Sequence, residues 1–304
     1  MSRFLVAAVL CAALIGTGGC RNGSAGAVDT GLKDTAALES RAKRLDAALA
    51  DDAPLQERDE PIARWVLPSA LAEISGLALT ADGRLFSHDD ESGRITEIDY
   101  RQGTVVKRFF VGSPVLRGDF EGLACVGDRF FLLRSDGTLY EFAEGAAEQQ
   151  VSYITHDTHL GKECEFESVA WDSTGSSLVL ACKNVAAGQR GDELVFYRYG
   201  LDDAKGRDLK EFTIPMSAAV GANGWKRLHP TDLTVDPFTG NYVFVAAQEK
   251  ALVAFTPAGE VTFSRHLAGR HPQAEGIAIT RDGILIISDE AVDAGATITL
   301  YRWP

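Results

Sequence analysis

Glu73-Ile74-Ser75-Gly76-Leu77-Ala78 is the first of five versions of one phrase, in which an acidic or polar residue and a small residue open an alternating apolar run. The others are Asp119-Phe120-Glu121-Gly122-Leu123-Ala124, Glu165-Phe166-Glu167-Ser168-Val169-Ala170, His229-Pro230-Thr231-Asp232-Leu233-Thr234 and Gln273-Ala274-Glu275-Gly276-Ile277-Ala278. Their fourth positions are 76, 122, 168, 232 and 276, giving steps of 46, 46, 64 and 44. A period of about 40–50 residues is the signature of a propeller blade. The long third step reads as an insertion between Val185 and Leu228, where 187–191 and 217–224 have the composition of extended loops.

Each phrase is followed by a tight-turn signal, Asp82-Gly83, Gly127-Asp128, Thr174-Gly175, Thr239-Gly240 and Asp282-Gly283. Second strands follow over 84–87, 129–133, 177–181, 241–246 and 284–288, and third strands over 94–99, 138–142, 194–199, 251–256 and 297–303. Fourth strands read over 105–111, 150–155, 211–215 and 261–266, but the last repeat ends with its third strand. Arg64-Trp65-Val66-Leu67 stands before the first repeat without a partner and is expected to supply the missing strand, closing the ring and removing its open edges. The expectation is an all-β, single five-bladed β-propeller over 63–304. A six-bladed ring, with a degenerate blade hidden between Val185 and Leu228, is the alternative.

In an antiparallel blade the inner strand begins where the second strand ends, so two columns of residues meet at one mouth of the channel. Ser75, Glu121, Glu167, Thr231 and Glu275 form the first; Asp89, Ser135, Lys183, Gln248 and Asp289 form the second, with Asp90 and Glu290 one position further. Crowded carboxylates raise one another's energy unless a proton or cation offsets them. Oxygen ligands with few Cys or His nearby favour Ca²⁺. Glu121, Glu167, Glu275, Asp89 and Asp289 are the candidate metal ligands, and Arg134, Lys183, His88, Gln248 and Glu290 the candidate ligand-binding residues. The alternative for the same acids is a solvated lining paired with Arg134, Lys183 or His88.

Cys164 precedes the third inner strand and Cys182 ends the strand beside it, so the two can form a disulfide; Cys125 reads as a buried thiol. There is no Gly-x-Ser-x-Gly elbow, His-Glu-x-x-His, phosphate loop or dinucleotide fingerprint. His88 and His229 face the expected mouth as possible acids or bases, or as plain polar lining.

The chain opens with Met1-Ser2-Arg3, an apolar run over 4–15 and Thr17-Gly18-Gly19-Cys20. This reads as a signal peptide over 1–19, too short in its apolar part to span a bilayer. Residues 20–62 read as a tether with a short helix over about 35–50, whose apolar stripe of Leu38, Leu45 and Leu49 is thin. Across 304 residues, 43 acidic side chains face 30 Lys and Arg, a formal charge of −13 that excludes nucleic acid as a partner of choice. With 45% hydrophobic residues the chain has ample material for a core.

Thr17-Gly18-Gly19-Cys20 resembles a bacterial lipobox. The resemblance implies that Cys20 is acylated and anchors the protein to a membrane, and Arg21 after it implies sorting to the outer membrane, on its periplasmic face or at the cell surface. From Arg64 onward the Glu-Gly phrases, with Ile287-Ser288-Asp289-Glu290, resemble the SdiA-regulated, YjiK-like propeller family. Phytase-like, esterase-like and gluconolactonase-like propellers share similar inner strands and central metal sites. The resemblance implies a calcium-linked function: an envelope propeller that binds a divalent cation and a ligand or protein partner at its mouth. The alternative it leaves open is a calcium-dependent hydrolase of phosphate esters or lactones, with Arg134 and Lys183 orienting the anion. Pro230-Thr231-Asp232 in place of a Glu-Gly pair, and Lys183 where an acid is expected, depart from a symmetrical metal ring.

Overall fold

In a computed structural model of the chain, the described residues are 35–50, 59–186, 191–201, 208–292 and 294–303. Five sheets follow the five repeats. The first contains β2 (Ile74–Leu79), β3 (Leu85–Asp89), β4 (Arg94–Asp99) and β5 (Thr104–Val111), each antiparallel to the next. The second contains β6 (Phe120–Val126), β7 (Arg129–Arg134), β8 (Thr138–Ala143) and β10 (Tyr153–Asp157). The two-residue strand β9 (Gln150–Val151) leaves the second repeat and pairs in parallel with β5, so the expected strand over 150–155 is divided between two blades.

The third blade is β11 (Cys164–Asp172), β12 (Ser177–Val185), β13 (Glu193–Gly200) and β14 (Leu209–Pro215). The fourth is β15 (Asp232–Val235), β16 (Tyr242–Ala246), β17 (Ala251–Phe255) and β18 (Val261–His266). The long third step holds no sixth sheet among the described residues. Its strands complete blade three, and the expected loop over 217–224 begins as a short helix, α2 (Met216–Val220), that buries Met216 and Ala219. Residues 187–190 of the other expected loop lie outside the described residues.

The fifth blade is β19 (Ala274–Ile279), β20 (Ile284–Asp289), β21 (Thr297–Arg302) and β1 (Ala63–Val66). Ala63 lies opposite Leu300 and Val66 opposite Thr297, so the N-terminal strand closes the ring against the last strand. Alternating apolar residues fill the spaces between blades: Phe86, Phe109, Phe120 and Phe130 pack between blades one and two, and Phe196, Phe244 and Phe255 between three and four. Stacked sheets bury both faces this way, which explains the near-continuous apolar runs of the inner strands.

The helix α1 (Thr35–Ala50) docks on blades five and one. Leu45 is 1% exposed within the cluster containing Trp65, Leu71, Ile98 and Leu300. Arg41 stacks on the Trp65 ring at 4.7 Å and donates to the Gln102 carbonyl at 2.7 Å. Arg101 pairs with both Asp46 of the helix and Asp282 of the β19–β20 turn.

Candidate functional site

Four of the five inner strands carry the same irregularity. The register slips by one residue between Ile74 and Leu77, Phe120 and Gly122, Phe166 and Ser168, and Ala274 and Gly276. A β-bulge leaves one residue unpaired and turns it out of the pleat. The bulged residues are Ser75, Glu121, Glu167 and Glu275. The repeated phrase is thus a bulge motif that aims its third residue at the channel.

The same register corrects the second column. Ile74 pairs with Asp89, Phe120 with Arg134, Phe166 with Cys182 and Ala274 with Asp289. Lys183 therefore corresponds to Asp90, Ser135 and Glu290, and not to Asp89 and Asp289. One residue along a strand reverses the side chain's direction. Accordingly, Asp89 turns into its blade, where it accepts from Ser92 Oγ at 2.6 Å and pairs with Arg94. Asp289 is 1% exposed, with His271 Nδ1 2.7 Å from its carboxylate and Thr297 Oγ1 donating to it at 3.3 Å.

At the mouth, Lys183 donates to Glu167 Oε1 at 2.5 Å. Its ammonium also acts on Glu121 and Glu275. Glu167 is 3% exposed, and its Oε2 is buried without a hydrogen-bond partner. Burial, and then the charge of Glu167, push Glu121 up to about 9. Burial pushes Glu167 up to about 7 against the pull of Lys183, and it raises Glu275 in the same way. Beside this inner ring lies a second group that sequence reasoning only half identified. Glu73, Asp90 and Glu290 bring ligand atoms to within 4.8 Å of one another at the rim. Burial and the neighbouring Glu73 push Glu290 up to about 8; burial and Asp89 raise Asp90. Asp90 Oδ1 is buried without a partner, whereas Glu290 accepts from the Gln273 amide. Glu73, as the first residue of its phrase, is the member the reading passed over; its signal was the acid that also opens the second and third phrases.

The remaining candidates are placed differently. Arg134 turns along its own blade to Asp136 and Tyr140. Gln248 is exposed in the turn after β16. His229 is held by Glu249 at 2.8 Å. His88 is buried beside the axis, where burial lowers it to about 4; its neutral Nε2 accepts from Gly76 N at 3.1 Å. Cys164 and Cys182 form a disulfide with a Cα–Cα distance of 5.6 Å, and Cys125 is a buried free thiol whose burial raises it. Cys20 lies outside the described residues.

The inner strand of blade four pairs with β16 without a bulge, and its aberrant phrase does something else. Asp232 reaches onto the axis, where Oδ1 accepts from Ser168 Oγ and Leu233 N, each at 2.8 Å, and Oδ2 accepts from Leu77 N at 3.1 Å and Ile277 N at 2.8 Å. Burial lifts this carboxyl to about 7 while the four donors pull the other way. A Cβ on Gly76 would press on His88 Nε2 at 3.0 Å, one on Gly122 on Val169 N at 2.7 Å and one on Gly276 more closely still on Ser288 Oγ. The glycines at these fourth positions let the inner strands pack closely around the axis. Beyond this plug the channel opens at its other end into a cavity of about 650 Å³, lined by Leu77, Ala124, Trp171, Tyr100 and Asp282. The acidic mouth and this cavity are separate.

No protein-family model matches the sequence, and no curated protein matches it. Among solved structures, a glutaminyl cyclase from Myxococcus xanthus is similar at 16% identity and a TM-score of 0.55, covering 79% of this chain and 94% of its own. A PQQ-bound aldose sugar dehydrogenase from Streptomyces coelicolor is similar at 11% identity and a TM-score of 0.51, covering 79% and 98%. These likenesses show the fold, a β-propeller shared with enzymes.

Proposed function

We propose that the protein is an envelope propeller that binds a divalent cation, calcium by the chemistry of its ligands, at the acidic mouth and there engages a ligand or partner. The observation that carries this reading is the convergence of Glu73, Asp90 and Glu290 to within 4.8 Å of one another. Three carboxyls so close conflict electrostatically, and a divalent ion relieves the conflict where protons otherwise must. Their oxygen-only chemistry suits a hard cation. The rim trio is the preferred seat, because Lys183 already neutralises part of the inner ring. The hydrolase alternative asks Arg134 and Lys183 to receive an anion, but Arg134 is engaged with Asp136 and Lys183 with Glu167. The lipobox-like Thr17-Gly18-Gly19-Cys20 supports anchoring through Cys20, with 1–19 as the signal peptide, and the Glu-Gly phrases support kinship with the SdiA-regulated, YjiK-like propellers.

Calorimetric titration of the detergent-solubilised protein with CaCl₂ tests the cation. Saturable binding that is lost in Glu290→Gln is expected, and a flat titration contradicts the reading. Fatty-acid labelling in a bacterial host that disappears in Cys20→Ser tests the anchor.

A further inference from the structure

We propose that Lys183 is the built-in occupant of the inner carboxylate ring and that, by filling this seat, it confines a divalent ion to the rim trio. This rests on the cation-binding reading above and assigns a specificity-determining role to one side chain within it. Three observations lead there. First, the bulges of β6, β11 and β19 turn Glu121, Glu167 and Glu275 toward the channel, and the ammonium among them belongs to Lys183, 2.5 Å from Glu167 Oε1 and acting on the other two through its charge. Second, one positive charge is set against three carboxyls, and Glu167 Oε2, on a residue 97% enclosed, is left with no partner. An oxygen in that state marks a seat built for more coordination than it receives. Third, Lys183 occupies the column position that is Asp90 in blade one and Glu290 in blade five, the two acids of the rim trio. A single lysine therefore divides one band of acids into two unequal seats.

The spacing agrees with this division. Lys183 bonds Glu167 alone of the three inner acids and acts on Glu121 and Glu275 at longer range through its charge. Among the described residues, only the rim trio has ligand atoms all within 4.8 Å of one another; the inner three acids stand further apart around the lysine. Removing the ammonium leaves three enclosed carboxyls without a counter-charge, a state that draws in a cation.

The test is the calcium stoichiometry of the full chain in detergent at pH 8, by calorimetry with CaCl₂. The wild type is expected to take one ion per chain, Lys183→Met two, and Lys183→Met with Glu167→Gln one again. Lys183→Arg, which keeps a cation in the seat, is expected to remain at one. Lys183→Ala serves in place of the Met variant should the latter lose the cooperative melt of the wild type. A lysine-free variant that still takes one ion, or a wild type that already takes two, overturns the proposal. If the wild type takes none but the lysine-free variant takes one, the rim reading fails while the role of Lys183 stands. If neither takes any, both fail.

Discussion

Glu167 and Asp232 are enclosed carboxyls on the inner strands of neighbouring blades, and burial lifts both to about 7. Their surroundings differ in kind. Asp232 has four donors on its two oxygens, drawn from blades one, three, four and five. Glu167 has one partner, Lys183, and a bare oxygen. A buried polar group with every valence satisfied serves the fold, whereas one left short at an opening is available to something from outside. The distinction separates the axis of this propeller from its mouth, and it can be attacked from either side.

The largest effect is expected at the axis. Asp232→Ala orphans the amides of Leu77, Leu233 and Ile277 together with the Ser168 hydroxyl, each costing on the order of 1–3 kcal/mol. A loss of roughly 3 kcal/mol or more, read from chemical denaturation, is expected. A variant as stable as the wild type breaks the comparison, because Asp232 is then dispensable.

An intermediate effect is expected from pH. Glu121, Glu167 and Glu290 stand at about 9, 7 and 8, above their ordinary range. A carboxyl raised in the folded state binds more protons there than when unfolded. Its contribution to stability is whole below about pH 4.5 and is lost as pH rises through the folded value. In chelator, the melting temperature is expected to fall between pH 6 and pH 9. Saturating calcium is expected to recover the part belonging to the rim trio and to leave the parts belonging to the inner ring and to Asp232. A melting temperature that rises over this range contradicts the account.

The smallest effect on stability is expected in Glu167→Gln. The neutral amide relieves repulsion with Glu121 while giving up an ion pair whose lysine is 36% exposed. These contributions oppose one another, so the change in chelator is expected to stay within about 1 kcal/mol. A collapse comparable to that of Asp232→Ala places Glu167 among the structural acids and erases the contrast.

Much of this molecule was legible in its sequence because its repeat is. The phrase, the turns after it and the strand patterns led to five blades, and an unpartnered Arg64-Trp65-Val66-Leu67 led to the closing strand. The candidate acids were legible only to within one residue. Alternation is read from the strand, but the bulges at Glu121, Glu167 and Glu275 and the register of the second strands are properties of pairing. Hence Asp89 and Asp289 looked like mouth residues when Asp90 and Glu290 are, with Glu73 beside them. Asp232 was misjudged for a related reason: viewed as a missing Glu-Gly pair it weakens a metal ring, and only the donors that Leu77, Ser168, Leu233 and Ile277 bring to it at the axis reveal its role. The helix over Thr35–Ala50 had a recognisable stripe, but its docking depends on Leu45 meeting a pocket assembled from blades five and one.

Calcium titrations in buffers of different ionisation enthalpy measure the central claim most directly, since they count the protons that leave as the ion enters. With Glu290 of the rim trio at about 8, binding at pH 7 is expected to release protons, fewer as pH rises past 8, and fewer still in Glu290→Gln. Calcium binding without proton release at pH 7, or no calcium binding at any pH, contradicts the account.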